Sequence, residues 1–227
     1  MVNIVCLKWG NKYSSEYVNK LYNMVKRNIS YDFNFICFTE DSSGLDSNIK
    51  TLPLLDKKLN GWWNKLWLFS SQVANQLNYE PTLYLDLDII LVDNIDCFFD
   101  IKKDFVIIHE WMRNKHKNAS SFNSSVIKYN PGMFNHIWEN FEKNATQIMK
   151  TYPGDQDWIS KQVPSASVWP ENWCKSFKWH CTTKNNEACT VPSESRIIVF
   201  HGLPNPHDLI TGTSKYPYVD WVKEYWK

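Results

Sequence analysis

Two aspartates interrupt the most apolar run of the sequence. Asp86 and Asp88 are separated by one leucine within residues 82–92, where the other side chains are almost all apolar. If this run stays extended, the two side chains point to the same face of one strand. If the strand ends at the aspartates, both carboxylates lie at its carboxyl edge, where open α/β sheets bind ligands. Two like charges this close favour a hard divalent cation such as Mn²⁺ or Mg²⁺, the alternative being a solvated pair at a strand end.

A histidine near the end of the sequence offers a third ligand. His201 and Gly202 follow the apolar run 196–200, so we expect the imidazole at the carboxyl end of a strand. An imidazole beside carboxylates fits Mn²⁺ better than Ca²⁺. The residue types therefore predict a metal site formed by Asp86, Asp88 and His201, although a lone histidine is more often a satisfied surface or core residue.

Two further acids lie in a predicted loop that leads into a short helix. This loop spans residues 152–159 and contains Asp155 and Asp157. If a reaction at this site needs a general base, either carboxylate is a candidate. Asp155 could also cap the helix, which would not exclude a catalytic role.

Two residues outside the acidic motifs could contact a substrate. Lys65 is the one cation early in an aromatic-rich predicted helix, where it could neutralise a diphosphate or snorkel beside the tryptophans. Tyr13 follows the predicted first strand, and it could stack on a base or pack against the next helix. The chain contains 12 tryptophans and 11 tyrosines, whose rings suit sugars and bases but are mostly core residues.

The elements that must position these residues alternate between strands and helices. Apolar runs predict strands at residues 2–9, 32–39, 49–55, 82–92, 105–109, 122–130 and 196–200, with Pro53 placing the third at an edge. Helical periodicity predicts helices from Ser14 or Ser15 to Val25, at 61–77 and at 133–149. Residues 163–192 are expected to be irregular, and the basic stretch 113–121 to be a mobile loop over a site. This alternation indicates an α/β fold.

Length and composition limit the possible functions. The chain has 227 residues, 43% of them hydrophobic, which suits one domain. With 25 basic and 24 acidic residues the net charge is +1, so no nucleic-acid partner is expected. The sequence has no signal-peptide pattern and no apolar run of membrane-spanning length, so a cytoplasmic protein without a membrane span is expected. The six cysteines match no tight zinc pattern and are expected to be unpaired thiols.

Taken together, four segments resemble the motifs of metal-dependent glycosyltransferases with the GT-A fold. The segments are residues 85–88 (Leu-Asp-Leu-Asp), 122–125 (Phe-Asn-Ser-Ser), 154–157 (Gly-Asp-Gln-Asp) and 200–202 (Phe-His-Gly). They are similar, in that order, to the Asp-x-Asp motif, the sugar-side segment, the later acidic loop and the carboxyl-terminal metal histidine. Their order and spacing resemble glycosyltransferase family eight and small glycosyltransferases of bacteria and large DNA viruses. Ser125 and Asn205 stand where family-eight members usually have glycine and often have lysine.

The resemblance implies one GT-A domain over residues 1–227, a Rossmann-like three-layer α/β/α sandwich with a mixed, mostly parallel central sheet. It implies a nucleotide-binding half at residues 1–95 and an acceptor-side half at 96–227. The implied reaction moves a sugar from a nucleotide-diphosphate sugar, with a UDP-sugar as the expected donor, to a hydroxyl acceptor on a glycan or similar molecule. The implied cofactor is Mn²⁺ or Mg²⁺.

The resemblance also assigns roles to individual residues. Asp88 and His201 would bind the metal directly, while Asp86 would share the metal and the nucleotide ribose. Lys65 would add charge to the leaving group. Asp155 or Asp157 would take the acceptor proton in an inverting reaction, or flank the reacting carbon in a retaining one. The residues expected to contact the nucleotide sugar are Trp9, Gly10, Tyr13, Lys65, Asp86, Asn123, Ser124 and Gly202.

Two other functions are compatible with parts of this pattern. A phosphatase of the haloacid dehalogenase type also uses Asp-x-Asp after an apolar strand, but it places the motif on its first strand. A non-catalytic carbohydrate- or nucleotide-binding module would use the tryptophans as stacking surfaces. Such a module would bind sugar without metal-dependent turnover.

Overall fold

The computed structural model describes residues 1–55, 59, 61–111, 122–183, 189–216 and 219–227. The stretch 113–121, predicted to be a loop over the site, lies outside the described residues. The strands within the described ranges are β1 (Val2–Lys8), β2 (Phe33–Thr39), β3 (Lys50–Leu52), β4 (Thr82–Leu85), β5 (Ile89–Leu91), β6 (Phe105–His109), β7 (Phe122–Tyr129), β8 (Ser167–Val168), β9 (Cys174–Ser176) and β10 (Ile197–Val199).

Helices connect most of these strands. The α-helices in the same ranges are α1 (Ser15–Asn28), α2 (Ser71–Gln76), α3 (Cys97–Asp100), α4 (His136–Lys143), α5 (Ala145–Thr151), α6 (Asp155–Gln162), α7 (Pro206–Thr211) and α8 (Asp220–Tyr225). A 3₁₀ helix spans Gly61–Phe69, and a π-helical turn spans Phe177–Cys181. Among the described helices, none combines the length and the apolar character needed to cross a lipid bilayer.

A mixed sheet of seven strands forms the centre of the molecule. Its strand order is β3-β2-β1-β4-β7-β6-β8. The neighbours from β3 to β4 are parallel, β7 is antiparallel to both β4 and β6, and β8 is parallel to β6. This confirms the predicted mixed, mostly parallel sheet, including the edge position of the strand that follows residue 49. Because β4 pairs directly with β7, residues 1–95 and 96–227 share one sheet.

Alternating side chains on the central strands build two cores. In β1, Ile4 and Cys6 pack with α1 on one face, whereas Val5 and Leu7 pack with the 3₁₀ helix on the other. This alternation is what strands covered on both faces require. The layer on the α1 side also contains a small sheet in the order β5-β10-β9. The three-layer α/β/α arrangement is therefore confirmed, with a small sheet added to one outer layer.

The predicted single strand at residues 82–92 is wrong, because the chain changes sheets at the two aspartates. β4 ends at Leu85 in the central sheet, while β5 begins at Ile89 and pairs antiparallel with β10 in the small sheet. The backbone N–H of Asp86 still donates to the carbonyl of Ser125 in the central sheet, at 2.9 Å. The carbonyl of Asp88 accepts from Phe200, which follows β10, also at 2.9 Å. Of the two arrangements considered from the sequence, the one with carboxylates at a strand end is correct.

Three other segments differ from their predicted form. The helix expected at 61–77 divides at Ser70, whose hydroxyl accepts from the backbone N–H of Val73 and starts α2. The helix expected at 133–149 divides at Asn144, where a φ of −140° interrupts the helical backbone. Residues 163–192, expected to be irregular, include β8, β9 and the π-helical turn. The six cysteines are free thiols, as predicted.

Candidate active site

A cavity of about 410 Å³ opens where β1 and β4 end and α6 begins. Every predicted site residue except Gly10 lines it. The predicted residues on its wall are Trp9, Tyr13, Lys65, Asp86, Asp88, Asn123, Ser124, Asp155, Asp157, His201 and Gly202. Gly10 has a φ of +53°, donates its N–H to the Glu40 carboxylate and lines a neighbouring cavity that shares Trp9. The fold therefore brings motifs more than 100 positions apart in the sequence to one place.

The two aspartates of the 86–88 motif are held by tyrosine hydroxyls. Tyr84, buried on β4, donates to Oδ1 of Asp86, and Tyr13 donates to Oδ2 of Asp88 at 2.7 Å. Burial is the main cause that raises the pKa of Asp88 to about 6, and the negative charge of Asp86 is the second. The hydrogen bond from Tyr13 opposes this shift. Asp88 is only 9% exposed. The carboxylate of Asp88 is thus held where its negative charge is poorly compensated, which favours a bound cation.

Lys65 occupies a different environment from either of those considered from the sequence. Its ammonium group lies 3.1 Å from Oδ1 of Asp86 and 3.1 Å from Oδ2 of Asp155. It also donates to the carbonyl and the hydroxyl of Ser124 at 3.1 and 2.9 Å. Burial alone would lower the pKa of Lys65, but Asp155 and Asp86 together raise it above the ordinary value. The lysine is therefore a buried cation shared by two carboxylates rather than a side chain that snorkels beside the tryptophans.

Asp155 and Ser124 complete this buried network. Ser124 donates its hydroxyl to Oδ2 of Asp155 at 2.7 Å. Asp155 is the first residue of α6 and is 5% exposed, while Gly154 occupies the N-cap position. The predicted capping role of Asp155 is therefore wrong, because its carboxylate points to Lys65 instead of the helix start. Asp157, one position after Gln156, is half-buried and lies on the cavity wall.

His201 faces the same cavity but is held by neighbours of its own. Its Nε2 lies 2.6 Å from the hydroxyl of Ser176, and its ring stacks on Trp111 with centroids 5.6 Å apart. Burial, followed by the positive charges of Lys178 and His180, lowers the pKa of His201 to about 4. The imidazole is thus neutral near pH 7 and suited to bind a metal. Within the described ranges, no three His, Cys, Asp or Glu side chains form a ready-made metal cluster.

The remaining residues predicted to contact a substrate lie just after β1, at the start of β7 and just after β10. Asn123 accepts from the backbone N–H of Ser125 at 3.0 Å, which shapes the first residues of β7. Gly202 has a φ of +68°, and a Cβ there would lie 3.4 Å from Nζ of Lys178. Asn205 caps α7 together with Asp208.

Several residues on the cavity wall were not predicted as site residues. They are Leu7, Lys12, Trp62, Tyr84, Leu87, Ser125, Pro153, Gly154, Gln156 and Phe200. Gln156 could have been predicted as a site residue, since it lies between the two acids of the 155–157 segment. Trp62 carries no such signal, because one exposed tryptophan cannot be distinguished in sequence from the buried ones that follow it.

The chain has the GT-A fold, with its cavity at the ends of the central strands. The galactosyltransferase LgtC, solved in complex with donor and acceptor sugar analogs, has a TM-score of 0.64 and 13% identity, covering 90% of this chain and 89% of LgtC. Apo GlyE, a glycosyltransferase of Streptococcus pneumoniae TIGR4, has a TM-score of 0.65 and 10% identity, covering 99% of this chain and 59% of GlyE. The apo bifunctional glycosyltransferase WbbM has a TM-score of 0.62 and 12% identity, covering 98% of this chain and 51% of WbbM.

The similarity extends to the fold and not to the sequence. At 10 to 13% identity the solved structures share the GT-A architecture with this chain. The chain spans only part of the longer GlyE and WbbM chains. No protein-family model matches the sequence, and no curated protein sequence is significantly similar to it.

The buried network predicts a large cost for removing its cation. Lys65→Met leaves the carboxylates of Asp86 and Asp155 without their shared partner, so we expect a loss of about 3 kcal/mol in the free energy of unfolding. Urea denaturation would measure this loss. Lys223→Met, at an exposed position of α8, is the matched control and should change stability by less than about 0.5 kcal/mol.

A double variant separates charge from packing. Adding Asp155→Asn to Lys65→Met removes one of the uncompensated charges, so the double variant should lose less stability than the sum of the two single variants. A strictly additive loss would contradict the charge network.

The raised pKa of Asp88 predicts a pH-dependent effect on stability. The folded-state pKa is about 6 and the ordinary value 3.8, so the ionised form destabilises the fold above pH 6 and this cost disappears as the pH falls towards 4. Asp88→Asn lacks the charge and keeps an acceptor for Tyr13. In chelator-treated buffer it should exceed the parent in stability by about 2 kcal/mol at pH 8 and match it near pH 4.

The control for this measurement removes a carboxylate elsewhere. Asp32 is exposed, so Asp32→Asn should follow the stability of the parent across the same pH range. Equal stability of Asp88→Asn and the parent at pH 8 would show that the Asp88 carboxylate is already compensated.

Proposed function

We propose that this chain is a glycosyltransferase that moves a sugar from a nucleotide-diphosphate sugar to a hydroxyl acceptor on a glycan or similar molecule. A UDP-sugar is the donor we expect. One observation carries the proposal: in a GT-A fold, Asp86 and Asp88 meet at the end of β4 in a cavity that also contains the start of α6. This places an acidic pair, polar side chains and aromatic rings at the strand ends where such folds bind ligands.

Three residues on the cavity wall have side chains of the types that bind a divalent cation, although the described residues do not bring three such side chains together as a formed cluster. Asp88 is buried beside Asp86, and burial, followed by the negative charge of Asp86, raises its pKa to about 6. His201 is a nitrogen donor on the same wall, and burial lowers its pKa to about 4, so the neutral form that binds a metal predominates near pH 7. Asp86, Asp88 and His201 would hold Mn²⁺ or Mg²⁺, which when bound stabilises the negative charge that develops on a leaving diphosphate.

The structure suggests a positioning role for Lys65. Because its ammonium group is already shared between Asp86 and Asp155, it fixes the orientation of Asp86 and couples it to the start of α6. A diphosphate would have to displace one of these carboxylates to reach it. We therefore assign Lys65 to the support of the acidic residues, in place of the direct contact with the leaving group implied by the resemblance.

The two acids of α6 are candidates for different roles. Asp155 is held in position by its neighbours, and Asp157 is the candidate for the reactive group. Asp155 is buried and receives hydrogen bonds from Lys65 and Ser124, so the position of its carboxylate is fixed. Asp157 is half-buried and lines the cavity. If the reaction inverts the sugar carbon, Asp157 is the better placed of the two to accept the proton of the acceptor hydroxyl. In a retaining reaction the same pair would flank the reacting carbon.

The donor would extend from the acidic pair towards β1. Tyr13 donates to Asp88, and its ring packs against Tyr17 of α1 with centroids 4.7 Å apart, while Trp9 and Gly10 follow the end of β1. Asn123, Ser124 and Gly202 line the cavity on the sugar side in this arrangement. The position of the motif after the fourth strand disfavours the phosphatase, whose motif follows the first.

The experiment that tests the function is a nucleotide-release assay. The parent protein is incubated with a panel of nucleotide sugars and Mn²⁺, and free nucleotide is measured. We expect release from one donor, loss of release with chelator, and a decrease of at least about tenfold in Asp88→Asn. Asp93→Asn is the control, because Asp93 pairs with Arg196 and is half-exposed. Binding of a nucleotide sugar without metal-dependent release would favour the non-catalytic binding module.

The division between Asp155 and Asp157 gives a second test. Asp157→Asn should lower turnover by about a hundredfold while the affinity for the nucleotide sugar stays close to that of the parent, since a base acts on the acceptor proton. Asp155→Asn should lower the thermal midpoint, because Lys65 loses one of its two carboxylates. Turnover is measured by nucleotide release and donor affinity by calorimetry. Unchanged turnover in Asp157→Asn would rule out its role as the base.

A further inference from the structure

Trp62 is an exposed tryptophan on the wall of the cavity. It is 54% exposed, whereas the following residues 63–69 of the 3₁₀ helix are all buried. Folding of this helix therefore does not require an indole at position 62. A large apolar ring left open to water at a cavity wall is a feature of surfaces that bind a partner.

The indole lies against the start of α6. A Cβ added at Gly154 would come within 3.3 Å of Nε1 and 3.6 Å of Cδ1 of Trp62, and within 3.8 Å of Oδ2 of Asp157. The φ of Gly154 is −164°, a backbone conformation that any residue adopts. Glycine is thus needed here for the close approach of the indole and not for the backbone. This contact places the ring beside the carboxylate that we propose as the base.

Trp62 and Tyr13 belong to opposite faces of the central sheet. Tyr13 packs against the core on the α1 side and bonds to Asp88. The 3₁₀ helix that carries Trp62 packs against the core on the other side. The cavity therefore has aromatic residues on both sides of the acidic pair, Tyr13 and Phe200 on the α1 side and Trp9, Tyr84 and Trp62 on the other. With the donor nucleotide near the end of β1, the second substrate would meet Trp62, which is exposed and lies beside Asp157.

An indole next to polar acceptors matches the chemistry of a pyranose ring. One face of a pyranose presents C–H groups that pack on an aromatic ring, and its rim presents hydroxyls that need hydrogen-bond partners. Gln156 and Asp157 line the cavity wall beside Trp62 and offer amide and carboxylate groups. We infer that Trp62 is the surface on which a sugar ring of the acceptor stacks, so that the acceptor is a carbohydrate. This inference rests on the proposed transferase function.

The test uses methyl glycosides of glucose, galactose, mannose and N-acetylglucosamine, together with lactose and cellobiose, as probes of the ¹⁵N-labelled protein. The indole N–H signal of Trp62 is the one lost in Trp62→Phe. We expect at least one probe to shift this signal, with affinity about tenfold weaker in Trp62→Ala and retained within about threefold in Trp62→Phe. Tyr79→Ala removes another exposed aromatic ring, 57% exposed and outside the cavity wall, and should bind as the parent does.

Three results would overturn the inference. The first is that no probe shifts the Trp62 signal, and the second is that a probe binds the parent and Trp62→Ala equally. The third is an equal shift of Trp179, which is 47% exposed, because non-specific stacking on exposed tryptophans would produce it. Nucleotide release by the parent separates this inference from the proposed function. Glycoside binding at Trp62 without nucleotide release would reject the transferase, whereas release without glycoside binding would reject only the acceptor site.

Discussion

The buried ammonium group of Lys65 is the interaction on which the candidate site depends. It joins Asp86 at the end of β4, Ser124 at the start of β7 and Asp155 at the start of α6, all within about hydrogen-bond distance. A charge this deeply buried is tolerated only when it is paired and fully hydrogen-bonded, so each of these elements must hold its position for the others to be stable. The site is consequently part of the folded core and not a group of loops attached to it.

Much of the architecture was readable from the sequence because the signals were local. β1, α1, β2, β6 and β7 lie close to their predicted positions, since their apolar patterns match the burial they experience. The segment 61–69 was misjudged because consecutive residues from Trp63 to Phe69 are all buried, and a segment buried on every side has no amphipathic period to read. The change of sheet between Asp86 and Asp88 was not predicted, because it depends on pairing with β10, more than 100 residues later.

The candidate site, like the fold, could be predicted only in part. The acidic motif, the acids of α6 and His201 could be grouped from residue type and from a resemblance in their order. The partners of these residues could not be predicted. That Lys65 lies between two carboxylates, that Ser176 holds His201 and that Trp62 lies over Gly154 are outcomes of tertiary packing. Sequence patterns identify the reactive groups, whereas the geometry that tunes them comes from contacts distant in the chain.

The change of sheet between the two aspartates has a mechanical consequence. The backbone of Asp86 is bonded to the central sheet through Ser125, and that of Asp88 to the small sheet through Phe200. An ion bound by both carboxylates would link the two sheets at this point, in addition to the hydrophobic core that they share. Binding of the ion would then make the connection between the two sheets more rigid. Slower amide hydrogen exchange in β5 and β10 would be the signature of that coupling.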